Sequence, residues 1–208
     1  MDVDPMEYVE SDGDDKKSKE ESRESKEKAR INTWVAITVA LIATFMGLCS
    51  VKDGNIVQAM QQNQADKIDN WNFYQARNIR ETVYQSTVDQ LKLMALSAPP
   101  SMKAQYDKQI ADYQKKAAEQ EEKKKEQKAA AEKADKDYNA WNIHDDQFDL
   151  SEALLSLAIA LLATTALTGK RVLYFIALVP TFFGTLMGLA GLLGWNLHSD
   201  LAAKLLGT

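Results

Sequence analysis

LSAPPSMK, residues 96–103, places Pro99 and Pro100 side by side inside a long stretch of helix-forming sequence. Proline lacks a backbone N–H, clashes with the preceding helical turn and disfavours helix in the residue before it. The chain from residue 52 to this pair and the chain from the pair to residue 149 are similar in length, and each leads to an apolar segment. The pair therefore predicts a turn at 98–101 that joins two antiparallel helical arms.

Three apolar runs lie outside these arms, at residues 31–51, 150–169 and 172–195. A helix of about 20 apolar residues crosses the hydrocarbon core of a bilayer. A buried helix of a soluble domain is the alternative, but such a helix rarely lacks a polar face over this length. The predicted fold is an all-α membrane protein with three transmembrane helices and a long antiparallel helical hairpin (coiled coil), residues 52–149, inserted between the first and second.

The distribution of basic residues predicts the orientation. Seven lysines and arginines lie within residues 16–30, directly before the first run, and Lys170 and Arg171 lie between the second and third. The positive-inside rule places these segments in the cytoplasm and the arms on the other side of the membrane. Residues 1–30 are densely charged and predict a disordered N-terminal tail, and residues 196–208 form a short C-terminal tail.

Both arms carry heptad-like patterns. After the prolines, apolar and small residues follow a three-four spacing from Tyr106 to Phe148. Before them, a looser pattern begins at Val57 and slips by one position before Tyr84, which predicts a stutter. Folding about the prolines sets bulky side chains of one arm against small ones of the other. The predicted core residues are Ile68, Trp71, Ile79, Ile110, Tyr113, Ala131, Ala134, Tyr138 and Trp141.

Two blocks of sequence carry a resemblance. NWNFYQARNIR, residues 70–80, and FDLSEALLSLAIALLATTALTGKRVLYFIAL, residues 148–178, resemble the signature blocks of the bacterial membrane family named domain of unknown function 4337. The similarity covers about residues 30–196. It implies an inner-membrane protein with one N-terminal and two C-terminal spans around a helical insert, and it brings no assigned chemistry.

Candidate chemistry is sparse. The chain has two histidines and one cysteine, and no nucleophile and base fall together, so we expect neither an enzyme nor a cofactor. Acidic and basic residues nearly cancel along the arms, which argues against nucleic-acid binding. Weak metal-ligand candidates come together in one short segment: His144, Asp145, Asp146 and Asp149. The alternative is that Asp149 and Glu152 form a capping box at the start of the second transmembrane helix.

The third apolar run carries a small-residue face, formed by Gly184, Gly188 and Gly191. Glycine permits close backbone approach between membrane helices. This face predicts packing either between two copies of the chain or against the first run within one chain. The first run offers matching small residues at Ala36, Ala40, Ala43 and Gly47.

These features predict a membrane-anchored coiled-coil protein that acts as a non-enzymatic scaffold or interaction protein of the bacterial envelope. We expect it in the inner membrane, with the lipid bilayer around its spans, a second copy as its partner in a homo-oligomer, and an envelope protein as a further candidate partner. The alternative function is an oligomeric pore or transport-complex subunit, in which threonine-bearing helix faces line the path.

Overall fold

The computed structural model describes the backbone of residues 5–195 and the side chains of residues 22–195. Three helices make up this part of the chain: α1 spans Pro5–Leu96, α2 spans Pro100–Thr168 and α3 spans Arg171–Leu193. The described residues contain no strand, so the all-α prediction is confirmed for them. The predicted C-terminal tail, residues 196–208, lies outside the described residues.

The turn between α1 and α2 lies at the two prolines. Pro100 is the first residue of α2, a position where proline is favoured because the first N–H groups of a helix have no partner within it. The amide of Ser97 donates to the carbonyl of Met94 at 3.2 Å, and the amide of Met102 donates to the carbonyl of Pro99 at 2.9 Å. Only residues 97–99 separate the two helices, so the connection is tight.

Helix α1 begins at Pro5, which differs from the disordered tail predicted for residues 1–30. The composition predicts disorder because dense charge offers little apolar surface to bury. Near the first apolar run, however, charges pair: Glu27 forms an ion pair of 2.9 Å with Arg171, across from the start of α3. This pair and the continuous helix that follows it favour helix in the charged segment.

The chain divides into two compact units. The first comprises residues 1–55 and 143–208, and the second comprises residues 56–142. In the first unit, the core joins one face of α1 to α2 and α3, and its buried residues are Ile31, Val35, Ile42, Leu155, Ala158, Leu162 and Ala177. The three helices are long and apolar enough to cross a membrane.

The ends of α2 and α3 set the limits of the second and third apolar helices. Helix α2 ends at Thr168 and α3 begins at Arg171, so the predicted run 150–169 extends one residue beyond its helix. Gly169 has a φ of 69° and joins the two, which glycine adopts without strain. At the other end, α3 stops at Leu193 and Trp195 donates its amide to the carbonyl of Ala190 at 2.9 Å, which places the last two residues of the predicted run 172–195 outside the helix.

In the second unit, α1 residues far from the turn contact α2 residues far from it, and α1 residues nearer the turn contact α2 residues nearer it. Lys67 pairs with Asp135 at 2.6 Å. Arg77 donates to Gln120 at 3.0 Å, and Glu81 pairs with Lys124. Nearest the turn, the rings of Tyr84 and Tyr113 lie 5.9 Å apart between centroids. Charged and aromatic pairs therefore link the two segments along the unit.

The contact face of α1 in this unit follows one unbroken three-four spacing. The buried and half-buried positions that follow this spacing are Met60, Asn63, Lys67, Asn70, Tyr74, Arg77, Glu81, Tyr84, Val88, Leu91 and Ala95, and the half-buried Trp71, Ala76 and Thr87 flank them. The predicted stutter before Tyr84 is therefore wrong. The spacing passes through charged residues that find partners on α2, whereas the sequence pattern selected the apolar residues beside them.

Three predicted core residues are exposed. Ile68 is 51% exposed and Ile79 is 63% exposed, because the charged residues Lys67 and Arg77 occupy the contact positions instead. Trp141 is 38% exposed. The other predicted core residues are buried or half-buried, and they are Trp71, Ile110, Tyr113, Ala131, Ala134 and Tyr138. Of these, Trp71 packs edge-on against the ring of Tyr74, with 5.3 Å between centroids.

Candidate functional site

Acidic side chains from α1 and α2 lie together in the first unit. Asp53 follows the first apolar run on α1. Asp145 and Asp149 precede the second apolar run on α2, and Glu152 lies at its start. The carboxyl groups of Asp53 and Asp145 share a hydrogen bond, and the charges of Asp149 and Glu152 act on Asp53. Two helices thus bring together four acids from distant parts of the sequence.

Burial is the main cause of the altered titration at this cluster. Burial, together with the negative charges of Asp149 and Asp53, raises the pKa of Asp145 to about 6. Burial also raises the pKa of Asp53, but the hydrogen bond from Asp145 opposes this change. A hydrogen bond to the charged form favours that form. Below about pH 6, Asp145 is therefore the member that holds the proton, and its hydroxyl donates a hydrogen bond to the Asp53 carboxylate.

A cavity of about 240 Å³ adjoins the cluster. Asp53, Ser151 and Glu152 line it together with Cys49 and Phe148. Asp53 Oδ1 and Ser151 Oγ are buried and have no hydrogen-bond partner, and Ser151 is only 1% exposed. Buried polar atoms of this kind usually bind water or another polar group. The cavity therefore offers two free oxygen atoms beside a shared proton.

The four weak metal candidates do not come together as a metal site. His144 Nδ1 lies 3.2 Å from Gln147 Oε1, while Asp145 bonds Asp53 on the other helix. Gln147 in turn donates to the carbonyl oxygen of Trp195 at 2.7 Å. Among the described residues, no group of three or more histidine, cysteine, aspartate or glutamate side chains is arranged to hold a metal ion. His144 instead contacts Gln147, which links α2 to Trp195 just after the end of α3.

The capping-box interpretation of Asp149 and Glu152 is wrong. Helix α2 is continuous from Pro100 to Thr168, so no helix begins at residue 149. The sequence places charged residues directly before an apolar run, which resembles a helix start, but the same helix simply passes from one compact unit into the other.

The glycine face of α3 packs inside the first unit. A Cβ atom at Gly184 would lie 2.9 Å from Leu155, and one at Gly188 would lie 2.7 Å from both Phe45 and Ser151. One at Gly191 would lie 2.7 Å from Phe148. Within one chain the face therefore meets α2 and, at Gly188, also Phe45 of α1. Self-association through it stays a prediction. The small residues of α1 that the sequence offers as its partner are all exposed, namely Ala36, Ala40, Ala43 and Gly47.

The threonines of the apolar helices bond their own backbones. Each hydroxyl donates to the carbonyl four residues earlier, at 2.7–3.0 Å, in Thr38, Thr44, Thr164, Thr165, Thr181 and Thr185. This bond uses the only hydrogen that a hydroxyl can donate. Thr38 also lies 3.1 Å from the hydroxyl of Tyr174, which links α1 to α3. Of these six hydroxyls, that of Thr38 therefore links two helices, and the other five bond within their own helix.

Comparison with known proteins decides the family. Residues 31–194 match the family described as Domain of unknown function (DUF4337). The chain belongs to this family. The match confirms the resemblance of the two sequence blocks and includes all of the second compact unit and most of the apolar part of the first. No curated protein and no solved structure matches the chain.

The family match includes the acidic cluster and its cavity, which the sequence predicts only in part. The short segment around His144 draws attention to Asp145 and Asp149, but Asp53 and Ser151 are missed. A signal for Asp53 exists in the sequence: it lies two residues after the first apolar run, whereas Asp145 and Asp149 precede the second and Glu152 lies at its start. Two ends that lie on the same side of a membrane are expected to meet.

Proposed function

We propose that this family member is a non-enzymatic, membrane-anchored scaffold of the bacterial envelope. In this proposal, α1, α2 and α3 each cross the inner membrane once, and residues 52–149 form an antiparallel coiled-coil hairpin outside it. The length and apolar character of the three helices support the spans. The pairs between α1 and α2, such as Lys67 with Asp135, support the hairpin.

The proposed orientation follows from the basic residues. Lys170 and Arg171 lie between α2 and α3, and the segment before the first run is also rich in lysine and arginine. The positive-inside rule favours both on the cytoplasmic side. The hairpin then lies in the periplasm or outside the cell, where it can meet other copies and envelope proteins.

An apolar stripe on the hairpin is the observation that carries the proposed role. Its residues lie on α1, and all are more than half exposed: Ile68, Ile79, Val83 and Leu93. At about 100° per residue, they fall within roughly 80° of the helix circumference, opposite the face that contacts α2. Aligned exposed apolar residues mark interaction surfaces. We refer to these four residues as the outer stripe.

The outer stripe fits a second copy of the chain best. The contacts between α1 and α2 include many polar groups, which bury little apolar surface, so a pair of helices gains stability when a further helix covers its exposed apolar side chains. A second copy presents the same stripe, so two copies can cover each other's apolar side chains in a symmetric interface. An envelope protein with an amphipathic helix is the other partner that this surface can bind.

Removal of the outer stripe tests the proposal. We expect the full-length chain in lipid nanodiscs or mild detergent to contain two or more copies by native mass spectrometry. The double variant Ile79→Ser, Val83→Ser loses apolar area without touching the α2 contact face, and should shift the mass toward one copy with unchanged helicity. Met102→Ser is the matched control, since Met102 is 42% exposed but lies beyond the turn on α2.

Two results would argue against the scaffold. If the double variant and the wild type have the same copy number, the outer stripe does not mediate self-association. If the purified chain in liposomes carries ions at a rate that the double variant changes, the pore alternative is favoured instead.

A further inference from the structure

A second cavity lies at the other end of the apolar helices, between α1 and α3. It has a volume of about 370 Å³, and its polar lining residues are Glu27, Arg30 and Arg171. Trp34, Tyr174 and Phe175 form its apolar walls. The cavity is thus open to groups that carry both a charged and an apolar part.

The charges of this cavity leave a net positive site. Arg171 pairs with Glu27, with 2.9 Å between Arg171 Nη2 and Glu27 Oε1. Arg30 makes no hydrogen bond or ion pair with another residue in the part of the chain whose side chains the structure describes. One guanidinium is therefore free and the other is shared. Arginine binds phosphate through two parallel hydrogen bonds, which a lysine cannot reproduce.

Helix α3 contributes a second source of positive potential. It begins at Arg171, and its N-cap residue Lys170 makes no side-chain capping bond. The first N–H groups of a helix favour an anion, through their free donors and through the helix dipole. Both effects act at the residue that lines the cavity.

The position of the arginines matches the depth of lipid phosphates. The uncharged run of α1 begins directly after Arg30, and that of α3 begins directly after Arg171. Trp34 and Tyr174 lie within one turn of these arginines, as aromatic residues do at membrane interfaces. Beyond the cavity, Phe175, Val179 and Phe182 share one face of α3, and each is more than half exposed. An acyl chain can run along this face.

We infer that this cavity binds the headgroup phosphate of one anionic phospholipid, with Arg30 and Arg171 as its ligands. The aromatic walls and the exposed face of α3 favour a lipid over free phosphate, since a free anion gains nothing from them. The net charge favours an anionic headgroup, because the choline of a zwitterionic one brings a further positive charge. Glu27 competes with the phosphate for Arg171. The inference rests on the proposed insertion of the three helices in a membrane.

Native mass spectrometry of the full-length chain, with lipids of matched acyl chains added to the detergent solution, tests the inference. We expect one phosphatidylglycerol to be retained about tenfold more strongly than phosphatidylcholine. The double variant Arg30→Gln, Arg171→Gln should lose this preference. Arg23→Gln is the matched control, because it removes an exposed charge nearby that does not line the cavity.

A variant that is expected to strengthen lipid binding keeps the test independent of damage to the fold. Glu27→Gln releases Arg171 and removes the one acidic group among the described residues that line the cavity, so phosphatidylglycerol should be retained severalfold more strongly. Equal retention in the wild type and the double arginine variant, or weaker retention in Glu27→Gln, would overturn the inference. Displacement of phosphatidylglycerol by millimolar inorganic phosphate would also overturn it, in favour of a free-anion site.

Carbonate extraction of membranes separates this inference from the proposed function. If the chain remains in the membrane but the arginine variants keep full lipid preference, only the lipid site is wrong. If carbonate releases the chain, the proposed membrane spans fail, and the lipid site fails with them.

Discussion

When it is protonated, Asp145 of α2 donates a hydrogen bond to the carboxylate of Asp53 on α1. This shared proton joins the two helices at the end of their apolar runs, where Asp149 and Glu152 add further negative charge. The bond depends on one of the two carboxyl groups being protonated, so its contribution to stability depends on pH.

The first prediction concerns this pH dependence. Burial, together with neighbouring negative charges, raises the pKa of Asp145 to about 6, compared with about 4 for an exposed aspartate. Between about pH 4 and pH 6, the folded chain then binds more protons than the unfolded chain. The contribution of Asp145 to the free energy of unfolding is therefore present at pH 4 and is lost as the pH rises through 6. At pH 7, the charged pair repels.

Asp145→Asn keeps a hydrogen-bond donor and removes the charge. We expect it to raise the melting temperature at pH 7 and to flatten the change between pH 4 and pH 6. Solvent screening limits the gain to about 1 kcal/mol. Thermal melts of wild type, Asp145→Asn and the exposed control Asp112→Asn at several pH values provide the measurement. If the melting temperature of Asp145→Asn changes with pH as steeply as that of the wild type, the shared proton is contradicted.

The second prediction concerns the contact face of α1. Val88 is 2% exposed, whereas Ile79 is 63% exposed. Val88→Ala should lower the free energy of unfolding by about 1–2 kcal/mol, because it leaves a gap against α2. In detergent at a protein concentration low enough to leave one copy per micelle, Ile79→Ala should change it by less than about 0.5 kcal/mol, because this side chain is exposed in the single chain. Denaturant unfolding of both variants is the measurement, and similar losses in the two would favour the stuttered pattern.

The third prediction concerns the glycine face of α3. Gly188→Ala places a methyl group 2.7 Å from Phe45 and Ser151, and overpacking of this kind costs about 1–3 kcal/mol. Gly47→Ala is the matched control, since nothing lies within 4 Å of a Cβ at that position. Melting temperatures in detergent should fall for the first variant alone. A normal melting temperature for Gly188→Ala would show that α3 packs elsewhere.

The turn, the three apolar helices and the family could be predicted from the sequence because their signals are local. Adjacent prolines end a helix wherever they lie, and an uncharged run is apparent without its partners. The α2 contact face could also be predicted from the sequence, since small and apolar residues such as Ala131 and Ala134 occupy it.

The α1 contact face could not be predicted from apolar periodicity. Three charged residues lie on this face because each has a polar partner on α2. The pairs are Lys67 with Asp135, Arg77 with Gln120, and Glu81 with Lys124. A pattern of single-chain hydrophobicity assigns such residues to solvent and selects Ile68 and Ile79 instead. In the structure these two isoleucines are exposed and belong to the outer stripe. The wrong assignment of the contact face therefore concerned residues on which the proposed function depends.

The candidate site was missed for a similar reason. Asp53 and Ser151 belong to different helices, and neither is unusual in its local sequence. Only their packing leaves Asp53 Oδ1 and Ser151 Oγ buried beside one cavity. The helix that Gly184 and Gly188 contact within the chain likewise depends on how the helices pack. The local sequence around these glycines carries no signal for that packing.

The central claim is that three helices cross the membrane and place the hairpin on the side opposite the N-terminal segment. Single cysteines at two exposed positions, Ser101→Cys beside the turn and Ser25→Cys before the first run, test it in a Cys49→Ser background. An impermeant thiol reagent applied to intact spheroplasts should label Ser101→Cys and should reach Ser25→Cys only after lysis. Labelling of Ser25→Cys in intact spheroplasts, or of Ser101→Cys only after lysis, would contradict the account.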